Sequence, residues 1–145
     1  MTSGETSLRA DELRVWRGFL RWSERVTVAV AQSLGTTGLS QPDYEVLKRL
    51  EEAGGTLSRQ ELEQGLAWSP SRLSHQLRRM EERGLVGRAD AGYGRLVLVG
   101  ISERGRAQVV VADEAHAAAV RAHLLDSLPG DMRAFLLNER DQTNC

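Results

Sequence analysis

At 145 residues with 41% hydrophobic content, the chain has the size and apolar supply of one ordinary domain, which argues against disorder. Nineteen Lys and Arg against twenty Asp and Glu give a formal charge of -1, so no global positive field draws it to nucleic acid or anionic lipid, and any such partner must meet a local patch. The single cysteine, Cys145, excludes an internal disulfide; with a charged N-terminal stretch unlike a secretory signal and no apolar run of membrane-spanning length, the expected location is the cytoplasm, with no membrane partner.

From Ser7 to about Leu34, the positions Leu13, Trp16, Leu20, Thr27, Val30 and Leu34 keep to helical steps, and Val15, Phe19, Trp22 and Val26 form a second stripe beside them. Two apolar stripes need two partners. Gly35 to Gly38 closes this helix, and Ser40 can cap a second one with Pro42 and Asp43 in its first turn and Tyr44, Val46, Leu47 and Leu50 inside, ended by Gly54 and Gly55. Ser58 and Glu61 have the S-x-x-E spacing of a capping box, which starts a third helix at Ser58.

After a short connection, Ser69 is a good N-cap and Pro70 stands at the first helical position, where its missing N–H costs nothing. This fourth helix runs to Gly84, which suits a left-handed terminator. The period then changes: a short strand near Leu85 to Arg88, a turn with Gly92 and Gly94, and a β-rich run from Leu96 to Ile101 predict a hairpin. Ser102 opens a long helix that continues to Leu128, and Pro129 with Gly130 breaks it before a last helix around Met132 to Asn138.

The fourth helix is two-faced. At about 100° per residue, Leu73, Leu77 and Met80 share one side, while Ser71, Ser74, His75, Arg78 and Arg79 share the other. Serines are poor helix-interior residues, and a merely solvated face would more often carry Glu, Lys or Ala. Short hydroxyls beside arginines suit DNA, since serine lets the backbone approach and arginine can grip two acceptors of guanine at once. The stretch Ser69 to Arg95 holds six arginines (Arg72, Arg78, Arg79, Arg83, Arg88, Arg95) and three acids (Glu81, Glu82, Asp90), a local charge of +3 that leaves -4 for the remainder. Composition alone leaves a groove-facing helix and a solvated face both open. A capped helix, a short turn and a second helix make a helix-turn-helix, and the hairpin that follows makes it a winged one.

In this order the residues resemble the MarR family of winged-helix transcriptional regulators. The resemblance covers nearly the whole chain: LSQPDYEVLKRLEEAGGTLSRQELEQGL as lead-in, SPSRLSHQLRRMEERGLV as recognition helix, and RLVLVGISERGR as second wing strand and following helix, with Ser102, Gly105 and Arg106 where the family has T-x-x-G-R. It implies one domain over 1–145, mainly α with a small β-hairpin: a winged helix over 40–101, with dimerisation helices over 7–38 and 102–140. It also implies a DNA-contacting face of Ser69, Ser71, Arg72, Ser74, His75, Arg78 and Arg79, and Arg95 as the wing-tip arginine of the minor groove. Family wings place an Asp two residues before that arginine, and here the position is Tyr93.

The family dimerises through its terminal helices, which implies an interface containing Leu13, Trp16, Leu20, Leu124, Leu125, Phe135 and Leu136. Two recognition helices then meet double-stranded DNA at a pseudo-palindromic operator. Repression relieved by a small aromatic or acidic effector is implied too, with Trp16, Trp22 and Tyr44 as pocket residues and Arg14 or Arg17 meeting a carboxylate; core packing is the other use of these aromatics. Cys145, on the tail, is out of place for a thiol sensor. His116 and His123 share a face of the long helix without evident further ligands, so a surface or interface role is expected and no metal. No glycine loop, HExxH pair or GxSxG elbow occurs, so neither an enzyme nor a cofactor is expected. The competing reading is a winged-helix module used for protein contacts.

Overall fold

A computed structural model describes residues 6–90 and 97–139. Among these described residues the elements follow in order: α1 (Ala10–Gly35), α2 (Gln41–Glu52), β1 (Thr56–Ser58), α3 (Arg59–Leu66), α4 (Pro70–Glu82), β2 (Val86–Asp90), β3 (Val97–Ile101), α5 (Glu103–His123), the 3-10 turn Leu125–Ser127 and α6 (Gly130–Asn138). The chain is mainly helical with a small antiparallel sheet.

Local cap chemistry sets most helix starts. Ser40 accepts from the Asp43 N–H while the Asp43 carboxylate accepts from the Ser40 N–H, and Ser58 and Glu61 repeat the arrangement at α3. Ser69 accepts from the Arg72 N–H, with Pro70 in the first turn of α4. Gly84 adopts φ +73 just past the end of α4.

Several boundaries differ from the sequence reading. α1 begins at Ala10 rather than Ser7, where the Glu12 carboxylate accepts from the Arg9 N–H. The first wing strand spans Val86–Asp90, longer than the expected Leu85 to Arg88. α5 stops at His123 instead of running to Leu128: Pro129 forces Leu128 into extended backbone (ψ 123), and the chain before it tightens into the 3-10 turn. The hairpin also gains a third strand. β1, directly before α3, pairs with β3 (Thr56 opposite Gly100, Ser58 opposite Leu98), giving the order β1-β3-β2 with β3 central.

The chain forms two compact units. Ala31–Ala118 holds the helix-turn-helix, the wing and the first part of α5, around a core that includes Leu34, Leu47, Leu50, Leu62, Leu73, Met80, Leu85, Val99 and Val109. Gly105 closes it: a Cβ there would overlap the Leu85 carbonyl oxygen and press on Leu47 and Ile101. Ser102 locks the same corner, its hydroxyl donating to the Gly84 carbonyl (2.6 Å) and accepting from the Gly105 N–H (3.0 Å). The serine and glycine of the T-x-x-G-R match thus tie the wing to α5.

The second unit comprises 1–30 and 119–145. Among its described residues only Val30 and Ala119 are buried apolar groups, whereas Val15, Trp16, Phe19, Leu20, Phe135, Leu136 and Leu137 are exposed. It has almost no core of its own.

Candidate nucleic-acid interface

The two faces of α4 separate as its periodicity predicts. Leu73, Leu77 and Met80 are buried, while Ser69, Ser71, Arg72, Ser74, His75, Arg78 and Arg79 are all exposed. All seven recognition-helix residues read from the sequence therefore lie together on the outside of the winged-helix unit. The eighth, Arg95, lies outside the described residues, as do Tyr93 and Cys145.

The inner face holds a polar network that periodicity did not reveal. Gln76, buried beside Leu77, donates from Nε2 to Asp43 Oδ1 (2.7 Å), and Arg83 donates from Nη1 to Asp43 Oδ2 (2.7 Å) and from Nη2 to the Gly38 carbonyl (2.8 Å). Burial alone would raise the Asp43 carboxyl, but the bonds from Arg83 and Ser40 outweigh it and hold Asp43 below the ordinary carboxylate range. Every acceptor of this buried carboxylate is engaged in fixing α4 against α2 and the α1–α2 turn. Arg83 is thus a structural arginine, and the basic stretch offers one cation fewer to DNA than its composition suggests.

The outer arginines have different neighbours. The Arg72 guanidinium lies over the Trp68 ring, 4.2 Å from its centroid, and Arg78 Nη2 is 3.2 Å from His75 Nδ1. Arg79 borders a shallow hollow with Gln41, Pro42 and Arg83. On the wing side, a groove of about 510 Å³ is lined by Leu77, Leu98 and Val99 together with Arg59, Ser74, Arg78, Glu81 and Arg88. Arg59, the first residue of α3, and Arg88, in β2, join Arg78 around this groove, and neither was read as a site residue. Arg59 is brought there by β1, whose Ser58 pairs with Leu98. Three arginines, Arg59, Arg78 and Arg88, therefore border one groove, with the Glu81 carboxylate beside them.

The aromatic residues expected near an effector divide between the units. Trp16 stacks on Phe19 (centroids 5.9 Å apart) and is half exposed, and Trp22 lines a hollow of about 220 Å³ with Arg25, Val26 and His123. Tyr44 belongs to the winged-helix unit, buried, with its hydroxyl donating to Asp113 Oδ1 (2.7 Å) and its ring stacked on His116 (4.2 Å). Burial and the Asp113 carboxylate push the Tyr44 phenol well above its ordinary range. Lys48 donates to Asp113 Oδ2 and to Glu51, both at 2.9 Å, and these bonds raise its ammonium.

His116, expected in a surface or interface role, packs within the winged-helix unit. It is half-buried against Tyr44, and burial lowers its pKa despite Glu45 and Asp113 nearby. His123, exposed, lies in the other unit. Among the described residues no group of three His, Cys, Asp or Glu could hold a metal ion. No helix of the described residues is long and apolar enough to cross a membrane.

Residues 39–99 match a family described as a domain of unknown function, DUF7343. No curated protein matches the chain. Among solved structures, AbsC, a MarR family transcriptional regulator from Streptomyces coelicolor, is 30% identical over 92% of this chain and 91% of its own, with a TM-score of 0.82. The chain belongs to the MarR family of transcriptional regulators. Sco3205, a MarR family regulator from the same organism solved in complex with DNA, shares the fold at 24% identity, with 98% and 91% of the two chains covered and a TM-score of 0.84. CouR from Rhodococcus jostii RHA1, solved bound to p-coumaroyl-CoA, is 28% identical over 87% of each chain, with a TM-score of 0.70. MarR membership makes the chain a regulator and not an enzyme.

Proposed function

We propose that this MarR family chain acts in the cytoplasm as a homodimeric, sequence-specific DNA-binding repressor relieved by a small aromatic or acidic effector. The observation that carries the DNA-binding reading is the partition of α4: Leu73, Leu77 and Met80 are turned inward, and seven serine, arginine and histidine side chains stand together outside. The N-terminal turns of α4 enter the major groove and supply base and phosphate contacts from Ser69, Ser71, Arg72, Ser74, His75, Arg78 and Arg79. Arg59 and Arg88 add phosphate contacts, and Arg95, by its family correspondence, reads the minor groove. The DNA complex of Sco3205, which shares the fold, supports this reading.

The dimer reading is supported by the coreless terminal unit. Trp16, Leu20, Phe135 and Leu136 are each more than 40% exposed in the single chain, and Leu13, Leu124 and Leu125 are partly so. A second copy covering them places two recognition helices about 34 to 36 Å apart on a pseudo-palindromic operator. Effector relief is supported by the ligand that CouR binds, and Trp16 and Trp22, in the terminal unit, are the residues proposed to face such a molecule; Tyr44, buried and bonded to Asp113, is the weaker of the three sequence candidates.

Selection of bound fragments from genomic DNA tests the proposal. A shared two-fold sequence is expected, with Arg78→Ala and Arg79→Ala each weakening binding to it by about 1 to 3 kcal/mol if they contact bases. Metabolites that release those fragments then identify the effector. No duplex binding at low salt would favour the protein-contact module instead.

A further inference from the structure

The arginines around α4 are held in different ways, and one of them is set in advance. Arg83 is drawn inward to Asp43, and Arg78 leans on His75, a neighbour on its own helix. Arg72 lies over an aromatic ring that precedes the helix. That ring belongs to Trp68, half-buried in the turn between α3 and α4. The turn is tightly determined: Ala67 has left-handed backbone at φ 54, the Trp68 N–H bonds the Glu63 carbonyl (3.0 Å), and Ser69 caps α4 through the N–H of Arg72 itself. Trp68 and Arg72 are thus fixed relative to each other by backbone as well as by the ring contact.

A guanidinium resting on an aromatic face uses its π surface and keeps its in-plane N–H donors for other acceptors. Those donors match O6 and N7 of guanine, and Arg72 stands in the first turn of α4, the part of a recognition helix that meets base edges. Restricting the side chain beforehand removes rotamer entropy that a flexible arginine loses on binding. A phosphate, which accepts from many directions, needs no such restriction.

We infer that Trp68 is a positioning residue that presets Arg72 to read one guanine in each half-site, which makes Arg72 the specificity-determining arginine of α4. This rests on the DNA-binding reading above.

Selection from randomised duplexes with the full chain tests the inference, comparing Arg72→Lys, Arg72→Ala, Trp68→Ala and Trp68→Phe with wild type. The wild type is expected to require guanine at one position per half-site. Arg72→Ala should lose about 5- to 150-fold of that preference, and Arg72→Lys part of it, since lysine keeps the charge but lacks the planar fork. Trp68→Ala should weaken the preference at the same position and leave other positions and the salt dependence unchanged, while Trp68→Phe, which keeps a ring, retains most of it. Preference is a ratio between sequences in one protein sample, so a loss of folded protein cancels. Two results would overturn the inference: Trp68→Ala lowering affinity equally for all sequences with the guanine requirement intact, or Arg72→Ala reducing the salt slope by about one with no change at any base position. A wild type that enriches no sequence would instead remove the DNA-binding reading itself.

Discussion

Replacing Arg83 with alanine is expected to destabilise the fold by about 2 kcal/mol, although the residue sits in what looks like a DNA-facing basic run. Removing one partner of a buried ion pair typically costs about 3 to 5 kcal/mol. Two features reduce the figure here: the Arg83 side chain is 43% exposed, so water partly replaces it, and Asp43 keeps its bonds from Gln76 and the Ser40 N–H. The carboxylate, only 3% exposed, nevertheless loses its counter-charge. Urea unfolding followed by circular dichroism at fixed protein concentration would read the loss, and a double-mutant cycle with Asp43→Asn would isolate the pair.

The pH dependence follows from the sign of the Asp43 shift. Its folded-state pKa lies below the unfolded value of about 3.9, so its stabilisation is complete above that value and is lost as pH falls through the folded one. The gap between wild type and Arg83→Ala should be full at pH 7 and narrow progressively below about pH 4. A variant within about 0.5 kcal/mol of wild type at pH 7, the range of ordinary surface changes, would refute the assignment of Arg83 as a structural residue.

Gly105→Ala should cost about 1 to 3 kcal/mol, measured by thermal melting, because its methyl group overlaps the Leu85 carbonyl and presses on Leu47 and Ile101. Phe135→Glu, at a residue 58% exposed in the single chain, should shift the protein toward monomer in sedimentation and weaken operator binding in parallel; an unchanged mass would place the interface elsewhere. His116 has a folded-state pKa below its unfolded value, so its contribution is present above about pH 6.5 and declines as pH falls through the folded value. Stability of His116→Phe should accordingly vary less than wild type between pH 7 and pH 5, as followed by melting temperature.

The starts of α2, α3 and α4 and the two faces of α4 were legible in the sequence because they depend on residues within a turn or two of each other: Ser40 with Asp43, Ser58 with Glu61, Ser69 with Arg72, and Leu73 with Leu77 and Met80. What was missed depends on distant partners. β1 is three residues long, too short to show alternation, and exists through pairing with β3 more than forty positions later; without it nothing places Arg59 beside the wing. The burial of Gln76 and the inward turn of Arg83 have no local signal, because a polar side chain is buried only where something satisfies it, and Asp43 lies on another helix. The early end of α5 had a local signal in Pro129, but the apolar run Leu124, Leu125 and Leu128 continued the helical pattern past the point where the backbone turns.

Whether the outer face of α4 binds DNA is read most directly from the salt dependence of affinity for a selected genomic fragment. With Arg78, Arg79, Arg59 and Arg88 on each of two copies, log K should fall steeply and linearly with log salt, by about 0.9 for each phosphate neutralised. Arg59→Ala or Arg88→Ala should make the slope shallower by about one. Binding that is absent at low salt, or whose affinity is indifferent to salt, would contradict DNA binding by this face.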